Sequence, residues 1–407
     1  MFQWWVDADR VARRSLIAAS LGWMLDSFDV MLYALVLLAV RNDLGMDSST
    51  AGSLQSLTLL ASAVGGLAFG VLADRWGRTR ALMLSVLIYS VFTAACGFAQ
   101  TVAQLAVFRI FLGFGMGGEW ASGAALVSET WKDKDRGKAL GFMQSSWAVG
   151  YALAAIVNWL VQDVAGLGWR AVFFVGILPA VYALWVRSSV PEPEMWTAEK
   201  ARPSRVSLRG AMGGSMLRIT LAVTLMNACT MFAWWGLNSW IPSYLRADPS
   251  TGGIGLSNAS MNWFVVVMQV GMWFGYVTFG YVSDSVGRRK TYVGYLLAAT
   301  ALVLIYAYTT TPWVLLALGP VVAFFGTGYF SGFGAVSAEL YPTAVRATAQ
   351  GITYNIGRVA SAAAPWLVGS VAQTNGYPAA LSMTAVAYLA AACFWFLIPE
   401  TKGRAIQ

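Results

Sequence analysis

The sequence predicts an all-α membrane protein, with twelve transmembrane helices arranged as two pseudo-symmetric six-helix bundles. Three observations predict it. Hydrophobic residues make up 58% of the chain and charged residues only 11%, against about 45–50% and about 25% in soluble domains. Apolar windows of about 20 residues, long enough to cross a bilayer, recur along the whole chain. Landmark residues of the first half return in the second at a constant displacement of 210 positions.

The windows fall in order at 15–40, 51–73, 81–99, 102–127, 138–161 and 168–188, then at 215–245, 258–282, 290–308, 312–337, 347–372 and 378–398. Their connections alternate in charge. Arg10, Arg13 and Arg14 precede the first window and "DRWGRTR" follows the second. "WKDKDRGK" follows the fourth, "EKARPSRVSLR" the sixth and "RRK" the eighth, while Lys402 and Arg404 close the chain. The opposite connections carry Arg41, Arg170 and Arg246. Positive charge marks the cytoplasmic side, so both termini are expected there, in an inner (plasma) membrane. The domains expected are an N-terminal bundle at 1–190, a charged cytoplasmic linker at 191–214 and a C-terminal bundle at 215–407.

Composition also narrows the function. The net charge of +8 follows the positive-inside pattern, so the bilayer is the expected partner and nucleic acid is not. Cys96, Cys229 and Cys393 all lie in apolar windows and form no disulfide framework. The amphipathic start "MFQWWVDADRVARRS" has no apolar core or small-residue site of a cleavable leader. Histidine is absent, so proton handling near neutral pH falls to carboxylates. With no metal-ligand cluster and no nucleophile elbow, neither an enzyme nor a cofactor is expected. A monomer is expected.

The repeat separates charges that serve the shared architecture from charges that need another reason. Gly70–Arg78, with Asp74 and Arg78, reappears as Gly280–Arg288, with Asp284 and Arg288. Glu129 and Arg136 reappear as Glu339 and Arg346. These eight charges are read either as cytoplasmic gate clusters that separate when the halves move or as static loop anchors. Neither reading has them touch substrate.

Asp26, Asp29, Arg109, Glu119 and Arg358 have no charged counterpart: the positions 210 residues away are Gly236, Ser239, Gly319, Tyr329 and Ala148. From a rise of 1.5 Å per residue, all five fall within about 8 Å of the membrane midplane. Ionisable groups at that depth are costly and are functional by default. Asp26 and Asp29 share one helix face through their i, i+3 spacing. In "FRIFLGFGMGGEW", Arg109, Gly113 and Gly117 lie at i, i+4 and i+8, where small residues admit a neighbouring helix. The expected neighbour is the first helix, bringing Arg109 near its acids. Proton coupling is accordingly assigned to Asp26, Asp29, Arg109 and Glu119, with the titrating member of the acidic pair left open. Arg358, in the other half, suits a substrate anion, because a guanidinium binds a carboxylate through two hydrogen bonds. Tyr33, Trp120, Gln144, Trp147, Asn238, Tyr354 and Asn355 are the polar and aromatic residues that could line the same space.

These motifs carry a family resemblance along essentially the whole chain. "GVLADRWGR", "GMGGEWASGAALVSETW", "GWRAVFFVGILPA", "PEPEMW" and "PETKG" resemble the major facilitator superfamily, most closely its sialate:proton symporters, which include lactate and pyruvate permeases. "DSFD" in the first helix is similar to an element of the aromatic-acid:proton symporters. The resemblance implies proton-coupled symport of an organic anion by alternating access. Asp26 and Asp29 match the family's acidic pair, and Arg109 its proton-coupling arginine. The short linker favours a small monocarboxylate such as lactate or pyruvate, with sialic or aromatic acids as further candidates. A sugar or polyol carrier of the same superfamily is the alternative reading.

Overall fold

A computed structural model describes residues 3–178, 181, 185, 214–341 and 343–402. Apart from Gly214, the expected linker at 191–214 lies outside the described residues. The chain divides into two compact units, Met1–Met46 with Leu57–Pro203, and Asp47–Ser56 with Ser204–Gln407.

The first unit is built from α1 (Gln3–Val6), α2 (Arg10–Leu44), α3 (Ser48–Trp76), α4 (Arg78–Cys96), α5 (Val102–Thr130), α6 (Asp133–Trp159) and α7 (Trp169–Val175). Asp9 caps α2, its side chain accepting the Ala12 N–H at 2.7 Å, and Gly45 ends it in the left-handed region at φ 64°. Helix termini leave such backbone groups unpaired unless a cap takes them. Interior contacts are made where side chains are small. A Cβ on Gly150 of α6 would lie 1.9 Å from the Met24 carbonyl oxygen of α2, and Ser27 donates to the Trp147 carbonyl at 2.7 Å.

The second unit holds α8 (Gly214–Arg246), α9 (Asn258–Val286), α10 (Arg288–Tyr308), α11 (Pro312–Thr327), α12 (Phe333–Leu340), α13 (Thr343–Ser361) and α14 (Ala363–Phe394). It also takes in the first turns of α3, where the Ser49 and Ser370 hydroxyls lie 3.0 Å apart. A kink at Gly376, with φ 81°, divides α14. Between α11 and α12 runs a 3₁₀ turn, Gly328–Gly332, in the glycine-dense "GTGYFSGFG". The corresponding stretch of α5 is a continuous α-helix.

The 210-residue displacement governs geometry as well as sequence. Gly77 and Gly287 open α4 and α10 with the same φ of 115°, a value that glycine adopts without a Cβ penalty. A Cβ on Gly65 would lie 2.0 Å from the Phe114 carbonyl oxygen, and one on Gly275 would lie 2.5 Å from that of Phe324. Both contacts recur at that same displacement.

Among the described residues, nine helical stretches are long and apolar enough to cross a membrane. One of them, Ile352–Leu397, takes in the expected spans at 347–372 and 378–398. Of the expected sixth span, residues 179–180, 182–184 and 186–188 lie outside the described residues.

Candidate functional site

The face of α2 bearing Asp26, Asp29 and Tyr33 is closed off from solvent, each of these residues being 1% exposed. Trp23, one turn earlier, meets the Trp147 ring of α6 at 4.7 Å between centroids. From α5, Arg109 enters fully buried and lays its guanidinium over the Tyr33 ring at 3.8 Å. Its electrostatic neighbours include Tyr33 and Cys96 of α4. Cys96 in turn neighbours Asp29, and Thr93 lies beside Asp29 one helical turn before that thiol. The Thr93 hydroxyl donates to the Tyr89 carbonyl at 2.8 Å. Both Asp29 carboxylate oxygens are buried, and the hydrogen-bonding neighbour beside them is Thr93, not Arg109. Asp29 is therefore not the group that fixes Arg109 in this structure.

The glycines of α5 serve a different neighbour from the expected one. A Cβ on Gly113 would lie 2.2 Å from the Thr58 carbonyl oxygen, and one on Gly117 would lie 2.0 Å from that of Ser62. The helix they admit is α3, not α2. Arg109 of the same helix nonetheless meets α2, at the Tyr33 ring. Glu119, also fully buried, sits further along α5: its Oε1 is 3.5 Å from a Cβ built on Gly123, a point that Ala19 of α2 and Met143 of α6 also approach.

In the second unit Arg358 of α13 is 4% exposed. Its guanidinium lies 5.9 Å from the Tyr354 ring centre, and that ring packs on Phe333 at 6.0 Å. Among the described residues Arg358 has no acidic partner. Asn238 of α8 is buried and donates to the Trp234 carbonyl at 3.0 Å. Gln144, Tyr354 and Asn355 are half-buried. The side chains of Trp120, Asp74, Arg78, Glu129 and Arg346 lie outside the described residues, and Arg136 is half-buried.

The structure joins three of the repeated charges of the second half. Arg288 pairs with Asp284. Its Nη2 donates to Glu339 Oε1 at 2.8 Å, and its Nε lies 3.3 and 3.2 Å from the two Glu339 oxygens. Ser283 accepts from Arg288 Nη1 at 2.7 Å, and Thr401 donates to Glu339 Oε2 at 2.5 Å. Glu400 spans the start of α10, taking the Arg288 and Arg289 N–H groups at 3.0 and 3.1 Å. Burial raises its carboxyl, but the backbone N–H groups of Lys402, Arg289, Arg288 and Thr401 outweigh that and hold it below the usual range. Sequence reasoning gave Glu400 and Thr401 no role beyond the signature "PETKG", and it read Cys96 as a plain buried hydrophobe. Among the described residues no cluster of His, Cys, Asp and Glu could hold a metal ion.

Two buried features thus stand out: an acid cluster with a stacked arginine in one unit, and in the other a buried arginine with no acidic partner among the described residues. The sequence matches the Major Facilitator Superfamily over residues 18–253 and 223–406. It is 33% identical to a probable 4-methylmuconolactone transporter of Cupriavidus pinatubonensis, over 100% of this chain and 95% of that one. It is 29% identical to the sialic acid transporter NanX of Escherichia coli, over 95% and 94%. The fold matches the partially occluded inward open xylose transporter XylE of E. coli with a TM-score of 0.76 at 19% identity, covering 98% of this chain and 100% of that one. The chain belongs to the Major Facilitator Superfamily: it is an integral membrane transporter of a small molecule and not an enzyme.

Proposed function

We propose that the protein is a proton-coupled importer of an organic carboxylate, working by alternating access in the inner membrane with both termini cytoplasmic. The observation that carries this reading is Arg358, a buried guanidinium with no acidic partner among the described residues. A buried charge without a counter-ion is expensive, and an incoming carboxylate supplies one through paired hydrogen bonds. One of the relatives above is named for an acid, sialic acid, which supports the class. Within it, a small monocarboxylate such as lactate or pyruvate and sialic acid are both candidates, because the sialic acid transporter NanX matches this chain over 94% of its own length.

Asp29 is assigned the proton. Its enclosed oxygens make an ionised carboxylate costly in this conformation, so a proton arriving there permits the site to close. Asp26, Arg109 and Glu119 complete the coupling cluster. Asp284, Arg288 and Glu339, with the repeated set Asp74, Arg78 and Glu129, act as the cytoplasmic gate. Arg136 and Arg346 belong to the same gate.

Uptake into proteoliposomes with an imposed inward proton gradient tests the reading. Lactate, pyruvate, sialic acid, cis,cis-muconate, an aromatic acid and glucose form the panel. A carboxylate should accumulate, and Arg358→Gln should lose it. Accumulation of glucose alone would replace this reading with the sugar carrier.

A further inference from the structure

Tyr33 does not occupy the place expected of a substrate contact. Its ring lies beneath the Arg109 guanidinium at 3.8 Å, and both side chains are shut away from solvent. Asp29 precedes it by one helical turn on α2, with both oxygens enclosed beside Thr93. Cys96 neighbours Tyr33, Arg109 and Asp29 alike. Arg109 and Asp29 thus share the Cys96 thiol as a neighbour.

We infer that Tyr33 is a positioning residue of the proton-coupling step: its ring holds Arg109 while Asp29 carries the proton, and yields Arg109 to Asp29 when the proton leaves. The inference rests on the reading that Asp29 is the proton carrier. An aromatic face attracts a desolvated cation and stays neutral throughout the working pH range. A charge-assisted carboxylate pair is the stronger partner, but it exists only when Asp29 is ionised. The charge on Asp29 therefore decides where Arg109 sits. The proton moves between an Asp29 oxygen and water, and no covalent bond to carbon or sulfur forms or breaks. Together Asp29 and Arg109 carry a charge of one when protonated and none when the proton has left.

Other ionisable groups bear on the pH response. Asp26 and Arg41 share α2 with Asp29, Cys96 comes from α4 and Glu119 from α5. The packed helix α6 contributes Tyr151, while Arg170 of α7 is paired with Asp43 at 2.8 Å. The ring recorded over Arg109 is that of Tyr33, so that ring is what the test must remove.

The test is the pH profile of uptake in Tyr33→Phe and Tyr33→Leu proteoliposomes at matched reconstitution. Tyr33→Phe keeps the face and should follow the parent profile. Tyr33→Leu removes it, leaves Arg109 to the Asp29 carboxylate, and should move the midpoint about one pH unit toward acid. Apparent KM at saturating proton should stay within about twofold, because the ring does not touch substrate. In an Asp29→Asn background, substrate exchange should be unaffected by Tyr33→Leu. A Tyr33→Leu profile that superimposes on the parent, an equal shift in Tyr33→Phe, or an equal effect in the Asp29→Asn background would each overturn the inference. Should Tyr33→Leu not fold, Tyr33→Met is read by the same criteria. Accumulation that survives Asp29→Asn would instead remove the underlying reading, so the two failures are distinguishable.

Discussion

Arg288 at the start of α10 and Glu339 of α12 meet at 2.8 Å, each with 13% of its side chain exposed. The Nε of Arg288 faces both oxygens of the same carboxylate, so the pair is two-pronged. A hydrogen bond between charged groups in such a setting is worth about 1.5–3 kcal/mol. Glu339→Gln should lower the melting temperature of the purified transporter by several degrees, and Arg288→Lys should do so by less. Uptake that falls further than stability, at matched reconstitution, would mark the pair as a gate and not only an anchor.

Glu400 predicts an acid-sensitive contribution at the same turn. Four backbone N–H groups hold its carboxyl below the usual range. The sign follows: the cap stabilises fully above the ordinary carboxylate range and is lost as pH falls through the depressed folded value. Glu400→Gln should cost about 0.5–1 kcal/mol at neutral pH, the low end because the group is exposed. Thermal unfolding across pH checks this. The gap between parent and variant should close in acid, and a gap independent of pH would contradict the cap.

Gly65 and Gly275 should respond alike. Each faces a carbonyl oxygen that a Cβ would approach within 2.0 or 2.5 Å, and backbone cannot move aside as a side chain can. Alanine at either position should cost about 1–3 kcal/mol, measured by thermal unfolding. Alanine at Gly70 or Gly280, where a Cβ meets nothing within 4 Å, should be tolerated.

Arg358 should show the geometry its role requires. Arg358→Lys keeps the charge but loses the planar fork, and should raise the apparent KM for the carboxylate about tenfold. Arg358→Gln should raise it further or abolish uptake. Equal activity in all three forms would separate Arg358 from substrate.

The spans and the repeat were legible because each depends on local composition or on a constant displacement. Asp74 and Asp284 announce their equivalence within nine residues of sequence. What stayed hidden depends on which helix covers which face. Helical spacing put Arg109, Gly113 and Gly117 on one side of α5, but nothing in that spacing names α3 as the helix that the glycines admit. Tyr33 read as a lining residue because an aromatic side chain on a polar face suits a ligand and a buried guanidinium equally well. Glu400 lies 112 residues from the N–H group it caps, beyond the reach of any local motif. The 3₁₀ turn after α11 was equally hidden, since the matching glycine-rich stretch of α5 stays helical.

Asp29→Asn decides whether Asp29 carries the coupled proton. Two assays on the same proteoliposomes are compared: exchange of labelled carboxylate at equal pH, and accumulation driven by an inward proton gradient. Exchange should persist in the variant while accumulation above equilibrium is lost. Accumulation equal to that of the parent protein would contradict the assignment.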